Sequence, residues 1–267
     1  MVTEQEVEAI GRTLVDTAQP LPTRFRALFT LRNLGGRAAV EWISRAFEDG
    51  SALLKHELAF CLGQMQDEAA IPVLIRVLED TAQEPMVRHE AGEALGAIGK
   101  PDVLDILKHY SRDPVIEVAE TCQLAVRRLE WLQNNKEKGG TSPYLSVDPA
   151  PPAEETDVAK LREILLDESQ ELFDRYRAMF ALRNVGGQAA VLALAEDWAF
   201  GPKPEEKAGM TEGTAPEAEW LERDEMLVEQ VVDNEGTGIL PSTDIPLGLL
   251  APRSSVSFAD SPEKRYF

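Results

Sequence analysis

The sequence predicts an all-α protein, a solenoid of paired helices in two related halves. Three observations carry that prediction. Apolar residues recur at i, i+3, i+4 and i+7 almost without interruption to about residue 134, the period of helices with one buried face. Turn signals at Gly35-Gly36, Gln66-Asp67, Gly99-Lys100-Pro101 and Asp113-Pro114 cut that pattern into short helices. Finally, the chain repeats itself on two scales, the mark of a stacked-repeat architecture.

On the short scale, FRALFTLRNLGGRAAV (25–40), HELAFCLGQMQDEAAI (56–71) and HEAGEALGAIGKPDVL (89–104) share a frame in which Leu31, Leu62 and Leu95 correspond. The steps of 31 and 33 residues fit two antiparallel helices per unit, a HEAT-like repeat somewhat shorter than the usual period. These units fill an N-terminal half, residues 1–134. On the long scale, RFRALFTLRNLGGRAAV at 24–40 returns as RYRAMFALRNVGGQAAV at 175–191, identical at 12 of 17 positions after 151 residues. Between the halves, residues 135–156 are rich in Pro, Gly and acid and have no helical period, so they are expected to form a linker. The second half, 157–199, is expected to be incomplete, because similarity to the first stops near Ala199. Residues 201–267 hold 14 acidic, 6 basic and 7 of the 17 proline residues, a composition that predicts a mostly disordered tail with at most a short helix at 217–232. Its apolar runs at 238–240 and 247–250 are left without a predicted role.

With 47 acidic against 27 basic residues the net charge is -20, which argues against nucleic acid as a partner. No run approaches 18 apolar residues, so no membrane span is expected. Two cysteines and an acidic start, Met-Val-Thr-Glu-Gln-Glu, point to a cytoplasmic chain with reduced thiols. Cys61 and Cys122 read as small core residues rather than nucleophiles. His109 falls outside the repeat frame and reads as a surface residue. The Asn-Leu-Gly-Gly and Asn-Val-Gly-Gly copies at 33 and 184 read as helix C-caps.

Chemistry concentrates in two dipeptides. His56-Glu57 and His89-Glu90 occupy the same place in consecutive units. Equivalent positions of stacked repeats lie side by side at roughly 8–10 Å, so imidazoles from both rows can converge on one ion. Two imidazoles with one or two carboxylates suit Fe(II), Mn(II) or Zn(II). Adjacent helical residues point about 100° apart, so each His and its own Glu need not share the ion, and one Glu is free to face a substrate. The bland reading, two polar pairs on exposed helix edges, loses ground because both fall in one frame.

These pairs, together with Arg-Ala-Leu-Phe-Thr-Leu-Arg-Asn at 26–33, Gly-Gln-Met-Gln-Asp-Glu-Ala-Ala at 63–70 and Met-Val-Arg-His-Glu-Ala-Gly-Glu-Ala-Leu-Gly-Ala-Ile at 86–98, resemble the deoxyhypusine hydroxylase family over about residues 1–199. The resemblance implies a monooxygenase of two symmetric HEAT-repeat halves that uses dioxygen and Fe(2+), two per complete site, to hydroxylate deoxyhypusine on a translation factor. It also implies that His56, Glu57, His89 and Glu90 are the first half's metal-site residues. Within that set the histidines bind iron, and one glutamate contacts the substrate amine. In the second half, the 151-residue step places Lys207, Ala208, Leu240 and Pro241 where further His-Glu pairs are required. At most one half-site is therefore expected, and impaired activity with it. The alternative is a non-catalytic HEAT-repeat binding module with a single vestigial metal site.

Overall fold

The computed structural model describes residues 3–135, 144 and 146–200, with side chains to Glu196. The expected acidic tail, its short helix and its apolar runs lie outside the described residues. Those residues form eleven α-helices and no strand: α1 (Glu4–Val15), α2 (Leu21–Leu34), α3 (Gly36–Arg45), α4 (Ala52–Met65), α5 (Ile71–Glu79), α6 (Pro85–Ile98), α7 (Leu104–Tyr110), α8 (Ile116–Asn134), α9 (Val158–Leu166), α10 (Leu172–Val185) and α11 (Gly187–Phe200). None is long and apolar enough to cross a membrane. The all-α repeat solenoid expected from the sequence is what the chain forms.

Local signals set the helix ends. Thr3 and Glu6 form a reciprocal capping box at α1, Ser51 accepts the Leu54 N–H at α4, and Asp157 accepts two N–H groups at α9, each satisfying donors that an N-terminus leaves orphaned. Gly35 and Gly186 terminate α2 and α10 at φ of 67° and 65°, the left-handed region where a side chain is strained. Both are the C-caps read from the repeated Gly-Gly.

Helices α2, α4, α6 and α8 stack as one row and α10 follows on α8; α1 and α3 cover α2, α5 covers α6, α7 covers α8, and α9 and α11 cover α10. The frame leucines Leu31, Leu62 and Leu95 are all fully buried, as the shared repeat position requires. Two glycines 33 residues apart let the row close up. A Cβ on Gly63 would lie 2.8 Å from Ala94 Cα, and one on Gly96 would lie 2.7 Å from Ala125 Cβ. Backbone contact this close brings side chains of neighbouring helices into mutual reach.

A third repeated feature, absent from the sequence reading, ties each pair together. The Nε atoms of Arg24, Arg88 and Arg175 donate to the carbonyls of Leu14, Leu78 and Leu165, each ten residues upstream, at 2.8, 2.9 and 2.7 Å. These carbonyls belong to the last turns of α1, α5 and α9, where no intrahelical donor reaches them. Residues 146–156 contain no helix, yet they are packed: Ala150 is fully buried within a second core with Leu161, Phe173 and Leu182. On α11, Leu192 is half exposed while Leu194 packs against that core.

Candidate metal centre

Helix α4 presents His56 and α6 presents His89 and Glu90 to the same space. The imidazoles stack with centroids 6.5 Å apart and planes 20° from parallel. Glu90 Oε2 lies 3.2 Å from His56 Nε2 and 3.8 Å from His89 Nε2, and one ligand atom from each of the three residues falls within 4.8 Å of the others. Glu90 is 1% exposed, and this buried oxygen is without a hydrogen-bond partner among the described residues, with the His56 imidazole beside it as an ion-pair neighbour at 3.2 Å. A buried carboxylate oxygen left without a donor costs free energy. A divalent ion between two imidazole nitrogens and this oxygen removes that cost, so the residues present fit Fe(II), Mn(II) or Zn(II).

The other ring nitrogens are held from behind. His56 Nδ1 lies 3.2 Å from Glu57 Oε1, and His89 Nδ1 hydrogen-bonds the Thr121 hydroxyl of α8. Partners on the far nitrogen fix ring orientation and turn Nε2 toward a metal. Of the four residues singled out by sequence, the structure gathers three and sets Glu57 on the back of His56, one-fifth exposed.

Electrostatics separates the two histidines. Burial opposes charge on His56, but the Glu57 and Glu90 carboxylates overcome it and raise its pKa to about 10. His89 is held neutral, chiefly by burial, with the neighbouring His56 adding to the effect. Glu93, one turn beyond His89 on α6 and 8% exposed, is raised well above the carboxylate range by burial and by Glu90. Neither Thr121 nor Glu93 was read from the sequence. The signal for Glu93 is its i+4 spacing from His89; for Thr121 it is one further repeat step along the chain. Away from the cluster, Cys61 and Cys122 are buried, and burial pushes the Cys122 thiol up to about 12, the environment of a core thiol. His109 is exposed and packs edge-on to Tyr110.

This polarity predicts a proton-coupled site. A metal at Nε2 has to displace the proton that His56 retains up to about pH 10. Affinity for Co(II), a spectroscopic stand-in, should therefore rise about tenfold per pH unit between roughly pH 7 and 9. Without metal the sign reverses: stability from protonated His56 is fully present below about pH 6.5, its unfolded value, and is lost as pH rises through about 10. Titrations giving one affinity across that range would contradict the arrangement.

Comparisons with known proteins agree with this architecture. A profile described as HEAT repeats matches residues 39–127, and one described as PBS lyase HEAT-like repeat matches 174–196. Deoxyhypusine hydroxylase of Gallus gallus is 78% identical over 196 residues, and that of Homo sapiens 76%, each covering 73% of this chain. The chain spans 66% and 65% of the length of these two curated relatives. The solved structure of human deoxyhypusine hydroxylase in complex with glycerol superposes with a TM-score of 0.73 at 74% identity, covering 74% of this chain and 69% of that one. On that identity and coverage, the chain belongs to the deoxyhypusine hydroxylase family.

Proposed function

We propose that this chain is a half-site member of an iron-dependent monooxygenase family acting on deoxyhypusine in a translation factor. The observation that supports this reading is the convergence of two imidazole nitrogens and an orphaned Glu90 oxygen on one point. His56, His89 and Glu90 would hold iron, with Glu57 and Thr121 orienting the rings. When bound, iron(II) supplies the activation of dioxygen that inserting oxygen into a C–H bond requires. The chain's own residues do the rest. Glu57 has a second carboxylate oxygen beyond its contact with His56, and that oxygen would receive the cationic amine of the substrate side chain. Burial and the neighbouring Glu90 push the Glu93 pKa up, which disfavours a second negative charge beside Glu90.

A second reading rests on a specific observation: Lys207, Ala208, Leu240 and Pro241 stand where the repeat calls for further His-Glu pairs. One half-site then binds metal and a protein partner with little turnover. Intact-mass analysis of a deoxyhypusine-containing substrate protein, after incubation with the chain, Fe(II) and air, separates the two. A gain of one oxygen, with two irons per chain or per assembled dimer, supports the enzyme. An unmodified substrate, whatever iron the chain holds, supports the binding module.

A further inference from the structure

The 151-residue repeat allows one half to be read against the other. In α10, the Arg183 guanidinium lies 4.8 Å from the Phe180 ring centroid and 4.5 Å from that of Tyr144, and closes a bidentate pair on Asp148 at 2.9 and 2.7 Å. Six residues earlier, Arg177 Nε donates to the Pro151 carbonyl at 3.3 Å, and the Arg177 carbonyl accepts the Ala153 N–H at 3.0 Å. The non-helical stretch 146–153 is thus held on α10 like a bound peptide, by one carboxylate and two main-chain groups.

The same side chains recur 151 residues earlier as Arg26, Phe29 and Arg32 on α2. Arg32 again lies over rings, 5.9 Å from Phe29 and 6.0 Å from Phe60. No carboxylate or carbonyl pairs with Arg26 or Arg32 among the described residues, Arg26 is exposed and Arg32 half-buried. Phe60 follows His56 by one turn of α4, about 6 Å along the axis, so a segment held on Arg32 runs beside the metal centre.

We propose that this α2 surface docks an acidic, proline-containing, non-helical segment of a second polypeptide. Its carboxylate pairs with Arg32 and a main-chain carbonyl with Arg26, as Asp148 and Pro151 pair on α10. Bidentate arginine–carboxylate recognition against an aromatic face supplies both the geometry and the attraction. Gln64, which brackets Val147 at 3.0 and 2.9 Å, has Ala215 at its 151-residue counterpart, so weak, submillimolar binding is expected.

The probe is a fluorescent ten-residue peptide with the sequence of residues 144–153, titrated by anisotropy into the full chain at low salt. Saturable binding is expected, weakened about tenfold or more when the peptide carries Asp148→Asn or the chain carries Arg32→Gln, as for loss of one charge-assisted hydrogen-bonded pair. The peptide variant leaves the protein untouched, so a folding defect cannot produce that loss. Absence of saturable binding, whether the surface is inert or filled by residues 201–267, overturns the proposal. So does binding that survives Arg32→Gln, and if that binding still falls with Asp148→Asn the peptide sits on Arg183 of α10 instead.

Discussion

Purified His56→Ala and His89→Ala chains are expected to retain no metal, a loss of more than ~100-fold in affinity. Each change removes one of the three donors that lie within 4.8 Å of one another among the described residues. Removing an orienting partner behind a ligand costs about 10–100-fold, and losing the ligand itself costs more. Glu57→Gln is the informative contrast: its carboxylate lies on Nδ1 of His56 rather than in the cluster, so an intermediate loss of about 10–100-fold is expected. Elemental analysis of purified protein, with circular dichroism to verify helix content, reads all three. Wild-type metal content in both histidine variants would remove these residues as ligands, and a Glu57→Gln variant as empty as His89→Ala would move Glu57 into the cluster.

The His-Glu pairs were legible because chemistry and repeat frame coincide in the sequence: His56 and His89 stand 33 residues apart, each followed by Glu. The division of labour between the glutamates was not legible. It depends on which face of each helix meets its neighbour, and the close approach at Gly63 and Gly96 sets that. The connecting segment shows the limit of compositional reading. Proline and acid in 135–156 predict a spacer, yet Asp148 bridges Arg183 and Arg128, the latter donating to its main-chain carbonyl at 3.0 Å. Sequence separations of 20 and 35 residues leave no local periodicity to reveal such pairs. The repeated arginines Arg24, Arg88 and Arg175 were visible, but their shared carbonyl partner appears only once helix ends are known.

The largest expected loss of stability is at Arg88, next to His89 in sequence and anchored away from the metal. Its guanidinium is buried, donating to the Leu78 carbonyl at 2.9 Å and pairing with Asp113 at 2.6 Å. The Asp113 side chain is 5% exposed, so Arg88→Ala strands a buried carboxylate and an orphan carbonyl. Breaking such a pair from one side costs about 3–5 kcal/mol, which lowers the melting midpoint by roughly 6–20 °C at this size. Adding Asp113→Asn removes the stranded charge and should recover part of the loss, whereas a purely steric role for Arg88 predicts no recovery. The pH sign is fixed as well. Burial works against the Asp113 charge, but Arg88 and the Val115 N–H outweigh it and hold its pKa below the ordinary value. Its stabilisation is therefore present at neutral pH and lost as pH falls through the folded value. In Arg88→Ala burial competes with only the Val115 N–H and the weaker pull of His109, Asp113 takes up its proton at higher pH, and the gap to wild type should narrow in acid. A gap that stays constant from pH 7 to pH 4 would mean the tie acts through packing over Tyr110, 5.7 Å from the guanidinium, rather than through charge.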